Sequence, residues 1–446
     1  MDVVVIGAGA TGLAAGYLLS RKGADVTILE ASSRPGGLLS TFEVGKEHRL
    51  EYFYHHFFTH DAEIHWLLDE LGLSDRTIYR PATMGVFRDA TIHPFNGPTD
   101  VLSFPAMSVW ARLRFGLSAS MLTYLPGVED DEQTPALEWF RRWAGEEATE
   151  AIWEPMMDVK FGDAADRIPV AWMAGRLRQR ARSREGTEEK LGYLEGSLQV
   201  LVNRLVEVIQ EEGADLQCDT PVEQLAVEDG RVTGVVTSEE TMNADAVLST
   251  VPTPILARLV EETDAEYASS LRQIEYMGAI CTILSLKESL SPVYWLNVAD
   301  SGFSFGGVIE QTRLIPPDEY GGRHLVYLSR YVHSDHALWK KRKDHLIEQQ
   351  MSELKRLFGR DVGPILNDHW LFRGRFAAPI TGLGFSQLVP SYDSPVPGLF
   401  TACMPQVYPD ERSTNNSIRI AAGAVDAMGV DTSFLPQGPS LAGRHG

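Results

Sequence analysis

The sequence predicts an α/β protein whose first unit is a parallel sheet with helices packed against it. Three observations support this prediction. Residues 2–6 form the short apolar, β-branched run that is typical of a buried parallel strand. Residues 7–12 are rich in glycine, and residues 13–20 then continue at helical spacing. Residues 25–29 form a second apolar strand. A strand, a glycine turn, a helix and another strand make a βαβ unit with parallel strands.

The turn after the first strand has the form Gly-x-Gly-x-x-Gly, the fingerprint of dinucleotide binding. Gly7 allows the tight turn, Gly9 lets a pyrophosphate approach the backbone, and Gly12 lets the helix pack closely on the strand. Ala10 and Thr11 lie between the second and third glycines, and we include them in the predicted site. A glycine triplet alone is weak support, but here the strand before it and the helix after it agree.

An acidic residue completes this fingerprint. Glu30 ends the second strand and lies roughly 20 residues beyond the glycines, where a ribose diol would be bound. The sequence therefore predicts a dinucleotide in this unit.

Residues 30–37 read Glu-Ala-Ser-Ser-Arg-Pro-Gly-Gly. This stretch resembles the second half of the fingerprint in flavoproteins of the amine oxidase, protoporphyrinogen oxidase and phytoene desaturase group. The resemblance implies that Arg34, Gly36 and Gly37 wrap the pyrophosphate of FAD, since a guanidinium and backbone donors suit a diphosphate. An ordinary surface cation beside a glycine turn is the alternative for Arg34. Ala31 belongs to the same predicted site.

Two positions depart from the amine oxidase pattern. Amine oxidases often place an arginine directly after the glycine pair, where this chain has Leu38, which we nevertheless include among the cofactor contacts. They also carry a lysine in the middle of a strand that corresponds to residues 279–286, and here Lys287 comes only at its end. Both departures argue against amine oxidation and leave the FAD prediction intact.

Later segments resemble further cofactor-binding parts of the same group. The resemblance implies that Val222 lies along the adenine ring. It also implies that the strand ending near Thr250 closes this half of the domain, and we include Thr250 among the cofactor contacts. Cys403 and Met404 replace a Gly-Asp pair, and we expect Met404 at the cofactor. A helix begins after Arg412, and its N-terminus should point at the flavin; its predicted contacts are Asn415, Asn416 and Ser417.

Residues 50–61 are dense in aromatic and histidine side chains. They resemble a His-x-Phe-His-Thr run in UDP-galactopyranose mutases, in which a histidine packs on the flavin, although residues 56–60 match it out of order. His55 and His56 are therefore the candidate catalytic residues. A buried core histidine is the alternative for either one.

The resemblance recurs at the start, middle and end of the chain. It implies a discontinuous FAD-binding Rossmann-like domain of the GR2 type with an inserted α+β substrate domain, which contains antiparallel strands at 279–286, 304–309 and 324–331. The predicted FAD-binding segments are 1–85, 190–255 and 373–430, the substrate-binding segments are 86–189 and 256–372, and the predicted disordered tail is 431–446.

Composition limits the partners. With 40 Lys and Arg against 61 Asp and Glu the formal charge is −21, which disfavours nucleic acid and anionic membranes. Three scattered cysteines form no zinc pattern, and we predict no metal site. The apolar start is a strand, so we expect no signal peptide, and no apolar run reaches the ~18–20 residues of a membrane span. These features favour a cytoplasmic protein.

Two segments leave alternatives open. Residues 102–125 are apolar with two arginines, and they fit either a helix packed on the substrate domain or a peripheral membrane contact. Residues 176–184 form a basic run, which is either a solvated face or a holder for an anionic substrate group.

These features predict an FAD-dependent oxidoreductase. It would take a hydride from a C–H bond of a small, lipophilic molecule, and oxygen, a quinone or another carrier would accept the electrons. The alternatives are a flavin-dependent nucleotide-sugar mutase, suggested by the histidine run and the basic run, and a non-catalytic FAD scaffold.

Overall fold

A computed structural model describes residues 1–45, 47–185 and 188–436 of the 446-residue chain. The strands are β1 (Asp2–Ile6), β2 (Asp25–Leu29), β3 (Thr41–Val44), β4 (His48–Glu51), β5 (Phe57–Phe58), β6 (Thr77–Pro81), β7 (Met84–Arg88), β8 (Thr91–Pro94), β9 (Arg184–Glu185), β10 (Glu188–Leu194), β11 (Asp215–Gln217), β12 (Gln224–Glu228), β13 (Arg231–Val236), β14 (Thr241–Asn243), β15 (Ala246–Ser249), β16 (Tyr276–Leu286), β17 (Trp295–Val298), β18 (Gly307–Glu310), β19 (His324–Val332), β20 (Leu366–Pro379) and β21 (Leu399–Thr401).

The helices of the described segments are α1 (Ala10–Ser20), α2 (Ala62–Glu70), α3 (Pro98–Ser103), α4 (Val109–Tyr124), α5 (Ala136–Trp143), α6 (Glu146–Ala148), α7 (Glu154–Phe161), α8 (Val170–Arg182), α9 (Gln199–Glu211), α10 (Thr253–Val260), α11 (Ala265–Arg272), α12 (Ala337–Lys340), α13 (Lys343–Phe358) and α14 (Thr414–Ala427). A single π-helical turn, Thr149–Trp153, separates α6 from α7.

Five parallel strands form the sheet that carries the glycine turn, in the order β11-β2-β1-β15-β21. β1 lies in the middle and is buried from its second residue onward, because both faces of the sheet are covered. The other four strands of the sheet come from the beginning, middle and end of the chain. The α/β class and the discontinuous Rossmann-like domain predicted from the sequence are therefore confirmed.

Each face of this sheet packs against a separate hydrophobic layer. On one face, α1, α9 and α14 contribute side chains such as Leu13, Leu205 and Val425 to a common core. On the other face, α10 and α11 pack with the three-stranded sheet β12-β13-β14. The two layers exclude water from the sheet and leave its carboxyl-terminal edge as the place for a ligand.

The second domain is built on a seven-stranded sheet in the order β20-β16-β19-β18-β17-β7-β8. All its pairs are antiparallel except β17 with β7. The strands predicted at 279–286, 304–309 and 324–331 are present as β16, β18 and β19, although β18 begins only at Gly307.

One predicted domain boundary falls inside a strand. The sequence places the return to the first domain at residue 373, but β20 continues to Pro379 and pairs with the first residues of β16. The pairing of β20 with β16 continues past a register shift between the pairs Ala279–Gly374 and Met277–Ala378. Composition gave no sign that the strand is this long.

Helix α4 has one apolar face that is buried and one that is exposed. Ala111, Phe115 and Leu122 pack into the core that α3 to α8 share. On the opposite face, four large side chains form an exposed apolar row that we call the α4 stripe: Trp110 (69% exposed), Leu113 (50%), Leu117 (59%) and Tyr124 (76%). Among the described residues, no helix combines the length and apolarity needed to cross a bilayer.

The beginning of the predicted disordered tail is ordered. Leu435 is 8% exposed and joins the core next to α1 and α14. The ring of Phe434 lies 5.8 Å from that of Trp66, and the Lys22 ammonium lies 4.5 Å above the Phe434 ring. Two apolar side chains outweigh the Pro, Gly and Ser content that favoured disorder, so the prediction is wrong for 431–436. Residues 437–446 lie outside the described residues.

Candidate functional site

A cavity of about 540 Å³ opens at the carboxyl ends of the parallel strands; we call it the sheet-edge cavity. Ile6, Leu29 and Thr250, at or just after the ends of β1, β2 and β15, line it. The position is the one at which open α/β sheets bind ligands. The predicted cofactor residues that line it are Gly7, Gly9, Ala10, Thr11, Glu30, Ala31, Gly36, Gly37, Leu38, Val222, Thr250, Met404 and Ser417.

At Gly7 and Gly12 the turn leaves no room for a side chain. Gly7 has φ +102° and donates its N–H to Leu29 O at 2.8 Å. A Cβ on Gly12 would lie 1.8 Å from the carbonyl oxygen of Gly7, which explains why Gly12 is needed even though it does not line the cavity. Gly9 and Gly36 form a β-bridge, so the two halves of the fingerprint meet. The exposed N-terminus of α1 therefore faces the cavity and suits a phosphate.

Backbone donors hold the carboxylate of Glu30. Its two oxygens accept hydrogen bonds from Ala8 N at 2.8 Å and Ser32 N at 2.9 Å. Each oxygen keeps a further lone pair. The carboxylate is fixed at the cavity wall and can accept hydrogen bonds from a pair of hydroxyl groups.

The hydroxyl of Thr250 stabilises the turn from the neighbouring strand. It donates to Ile6 O at 2.9 Å and lies 3.2 Å from Gly7 O. Thr250 thus lines the cavity and also supports the backbone that forms it.

Besides Gly12, three predicted cofactor residues do not line the cavity. Arg34 has an exposed side chain outside it. Asn415 accepts from Ile64 N at 2.9 Å and donates to Glu63 at 2.8 Å, so its amide is held between α2 and α14. Asn416 donates to Glu411 O at 2.6 Å. In the described structure both asparagines anchor the start of α14 instead of facing the cavity.

The residues just before Asn415 take the place that the sequence assigned to the asparagines. Arg412, Ser413 and Thr414 line the sheet-edge cavity, and the hydroxyl of Ser413 caps α14 by accepting from Asn416 N at 3.1 Å. A serine N-cap is a readable signal, and it would have moved the predicted helix start to Thr414.

A second cavity, of about 170 Å³, adjoins the first; we call it the inner cavity. Leu38, His55, Arg412, Ser413 and Thr414 line both. The rest of its wall comes from α7 and α8, from the seven-stranded sheet and from the segment before β5. The aromatic and charged side chains of this wall include Tyr54, His56, Trp153, Lys160, Trp172, Arg176, Arg180, Trp295, Tyr331 and Glu411.

Of the two predicted catalytic histidines, His55 lines both cavities and His56 lines the inner cavity. His55 Nδ1 lies 2.7 Å from Phe53 O, and because a carbonyl oxygen only accepts, Nδ1 carries the proton. Nδ1 of His56 is buried and has no hydrogen-bond partner among the described residues. Burial lowers the pKa of His55 and of His56 to about 4, so both rings are neutral at neutral pH.

A cluster of charges surrounds Glu411 in the inner cavity. Lys160 and Arg176 both form ion pairs with its carboxylate, and Arg412 donates to the hydroxyl of Tyr331. Burial opposes the charge on Glu411, but Arg176 and Lys160 outweigh it and hold the pKa of that carboxyl well below its usual value. Burial lowers the pKa of Lys160 to about 7, although Glu411 acts against it. The site predicted from the sequence did not include this cluster.

A parallel sheet with a dinucleotide-binding turn, next to a second cavity that shares walls with the first, is typical of two-domain proteins that bind a nucleotide cofactor. Comparisons with known proteins narrow the class. The family described as flavin containing amine oxidoreductase matches residues 10–404. The chain therefore belongs to this family and is a flavin-dependent oxidoreductase.

Individual relatives are distant. Protoporphyrinogen oxidase 2, chloroplastic/mitochondrial, of Arabidopsis thaliana is 21% identical over an alignment 462 residues long. The alignment covers 90% of this chain and 89% of that protein. The crystal structure of a proposed protoporphyrinogen oxidase from an Exiguobacterium species has a TM-score of 0.76 at 18% identity, covering 96% and 98% of the two chains. Reduced UDP-galactopyranose mutase has a TM-score of 0.74 at 15% identity, covering 97% and 96%. Both structural likenesses show the fold.

Proposed function

We propose that the flavin is FAD and that the protein removes a hydride from a C–H bond of a small molecule in the inner cavity. The observation that carries this proposal is the sharing of walls: five residues line both the sheet-edge cavity and the inner cavity. A ligand that fills the first cavity therefore reaches the wall of the second. When bound, FAD would supply the hydride acceptor, and oxygen, a quinone or another carrier would take the electrons onward.

Features along the sheet-edge cavity support FAD, which carries an adenosine half that FMN lacks. Glu30 would hold the ribose diol, and Val222 would lie along the adenine. The backbone N–H groups of the glycine turn and the N-terminus of α1 would bind the pyrophosphate. Met404, Thr414 and Ser417 would contact the other end, near the start of α14. Arg34 would join the pyrophosphate only after its exposed side chain turned inward.

The inner cavity would hold the substrate. Its aromatic wall, with Tyr54, Trp153 and Trp295, would pack on an apolar body and exclude water. We propose that His55 and His56 contact the flavin ring and orient the substrate. Their neutral state leaves Nε2 of His55 and the unpartnered Nδ1 of His56 available for hydrogen bonds.

Anaerobic spectrophotometry tests this function. A substrate chosen from panels of small aromatic carboxylates and phosphates, lipids, porphyrinogens and nucleotide sugars is expected to bleach the flavin absorbance without oxygen, and admission of air or a quinone should restore it. His56→Gln should slow bleaching by about tenfold or more, because the substrate loses an orienting contact. His345→Gln, the same change on the exposed face of α13, should leave the rate unchanged. A flavin that no compound in the panels reduces would contradict the proposal and favour a non-catalytic scaffold.

A sugar mutase is the second candidate, favoured by the positive charge of the inner cavity and by the likeness to UDP-galactopyranose mutase. It requires reduced flavin and causes no net oxidation. Turnover of a nucleotide sugar by dithionite-reduced protein, with no bleaching of the oxidised form by any compound, would replace the oxidoreductase proposal.

We also propose that the α4 stripe makes a peripheral membrane contact. Tryptophan and tyrosine at its ends and leucines between them fit an interfacial helix. Because the chain carries a formal charge of −21, neutral phosphatidylcholine is the suitable lipid. Leu117→Gln should weaken co-sedimentation with such vesicles by about tenfold, and Leu383→Gln, an exposed leucine elsewhere, should not. Protein that stays in the supernatant at every lipid concentration would rule this contact out.

A further inference from the structure

The inner cavity carries more positive than negative charge. Of the charged side chains that line it in the described part of the chain, four are cationic (Lys160, Arg176, Arg180 and Arg412) and one, Glu411, is a carboxylate. Glu411 is shared between Lys160 and Arg176. Even with Lys160 neutral, the lining keeps more cations than anions.

Helix α8 places two of these cations by its spacing. Trp172, Arg176 and Arg180 follow each other at intervals of four residues, so they lie on one face of the helix, and all three line the cavity. Arg178 belongs to another face, where it donates to Leu125 O at 2.8 Å and pairs with Glu129. The basic run thus divides into arginines that support the helical layer and arginines that face the cavity.

Glu189 lies behind Arg180 and leaves part of the Arg180 guanidinium free to bind a ligand. Glu189 lies 3.3 Å from Nη1 of Arg180 and also accepts from the hydroxyl of Ser183 at 3.0 Å. Nη1 is also 3.0 Å from Met84 Sδ, a weak acceptor. A guanidinium has five N–H donors, and these contacts use one nitrogen.

Aromatic surface lies beside the cations. The Lys160 ammonium lies 4.4 Å above the ring of Trp172, and the Arg176 guanidinium lies 5.6 Å above it. Two polar atoms on residues of the wall, Trp153 Nε1 and His56 Nδ1, are buried and lack a hydrogen-bond partner in the part of the chain that the structure describes. Buried polar atoms are normally paired, so these two are suited to contacts with a ligand.

We infer that the substrate is a small aromatic or apolar molecule that carries one oxyanionic group, a carboxylate or a phosphate, held by Arg176 and Arg180. This inference rests on the proposed function and specifies the substrate class of the same site. The anion would balance the surplus charge, and the arginine fork suits both oxyanions. A simple cationic amine or polyamine would be repelled by the cationic side chains, which outnumber the one carboxylate in the lining. The cavity of about 170 Å³ also favours a ligand smaller than drug-sized molecules, whose pockets span roughly 300–1,000 Å³.

Four matched probes test the inference by calorimetry on the flavin-loaded full-length protein. They are benzoate, phenyl phosphate, benzyl alcohol and benzylamine, which share a ring and differ in charge. One of the two anions should bind about tenfold or more tightly than benzyl alcohol, and benzylamine should bind most weakly. The stronger anion identifies the group as carboxylate or phosphate. Equal affinities, or a preference for benzylamine, would overturn the inference.

Variants locate the binding. Arg180→Gln should weaken the preferred anion by about tenfold or more and leave benzyl alcohol unchanged, which also shows that the cavity has kept its shape. Arg180→Lys should be intermediate, since a single ammonium replaces the fork. Arg204→Gln, an exposed arginine on α9, is the matched control. Unchanged anion binding in Arg180→Gln would overturn the assignment.

The calorimetry needs no turnover, so it separates this inference from the proposed function. Flavin-loaded protein that shows no preference for the anions refutes only this inference, whereas protein without flavin refutes the proposed function.

Discussion

Gly12→Val is expected to abolish flavin binding while most of the chain still folds. A Cβ at residue 12 would lie 1.8 Å from Gly7 O and 3.0 Å from Oγ1 of Thr250. Neither neighbour can yield easily, because Gly7 O belongs to the backbone of the turn and Oγ1 already bonds to it. Overpacking costs roughly 1–3 kcal/mol in ordinary cores, and here the strain falls on the turn that would bind the pyrophosphate.

The measurement is the flavin content of the purified variant, followed by titration of its apoprotein with FAD. We expect less than about a tenth of the wild-type content, which corresponds to at least about 1.4 kcal/mol of lost binding. Gly116→Val is the matched control, since that glycine lies in α4 and a Cβ added there would have no neighbour within 4 Å. Full flavin content in Gly12→Val would mean that the turn does not hold the cofactor.

Glu411→Gln is expected to lower the melting temperature markedly. The substitution removes the carboxylate shared by Lys160 and Arg176 and leaves their charges facing each other and Arg412. Removing one partner of a buried ion pair costs about 3–5 kcal/mol. These side chains keep 17–25% of their surface accessible, so we expect the lower end of that range. Glu228→Gln, on the exposed β12–β13 hairpin, should change little.

The loss of stability in Glu411→Gln should depend on pH, because Lys160, one of the two partners of Glu411, titrates near neutrality. Lys160 has a pKa lowered to about 7, so it is charged at pH 6 and neutral at pH 8.5. The attraction lost in Glu411→Gln is therefore greater at pH 6, and the difference in melting temperature should shrink as pH rises through 7. In a double-mutant cycle, Lys160→Met should recover part of the loss at pH 6 and little at pH 8.5. If the difference in melting temperature between wild type and Glu411→Gln is constant with pH, the Lys160–Glu411 ion pair does not contribute to stability.

The first domain could be predicted because its signal is local. Residues 2–30 contain a strand, a turn, a helix, a strand and an acidic residue in sequence order, and no distant contact is needed to interpret them. The inner cavity could not be predicted in the same way. Lys160 and Arg176 come from adjacent helices, while Glu411 lies 235 residues beyond Arg176, and only the packing of α7 and α8 against the loop before α14 brings them together.

The asparagines illustrate a smaller failure. Successive residues of a helix turn by about 100°, so Thr414 and Ser417 share the face that meets the sheet-edge cavity, while Asn415 and Asn416 face α2 and the Glu411 loop. The sequence predicted the helix but could not orient its first turn. Which side chains face a ligand depends on how the helix packs, and that is a property of the whole fold.

The most direct test of the central claim is the identity and stoichiometry of the cofactor released when the purified protein is denatured with acid. The claim is that one dinucleotide spans the sheet-edge cavity from Glu30 to the start of α14. It predicts one FAD per chain, recovered intact and identified by mass. FMN alone, or protein that neither contains nor takes up FAD, would contradict it.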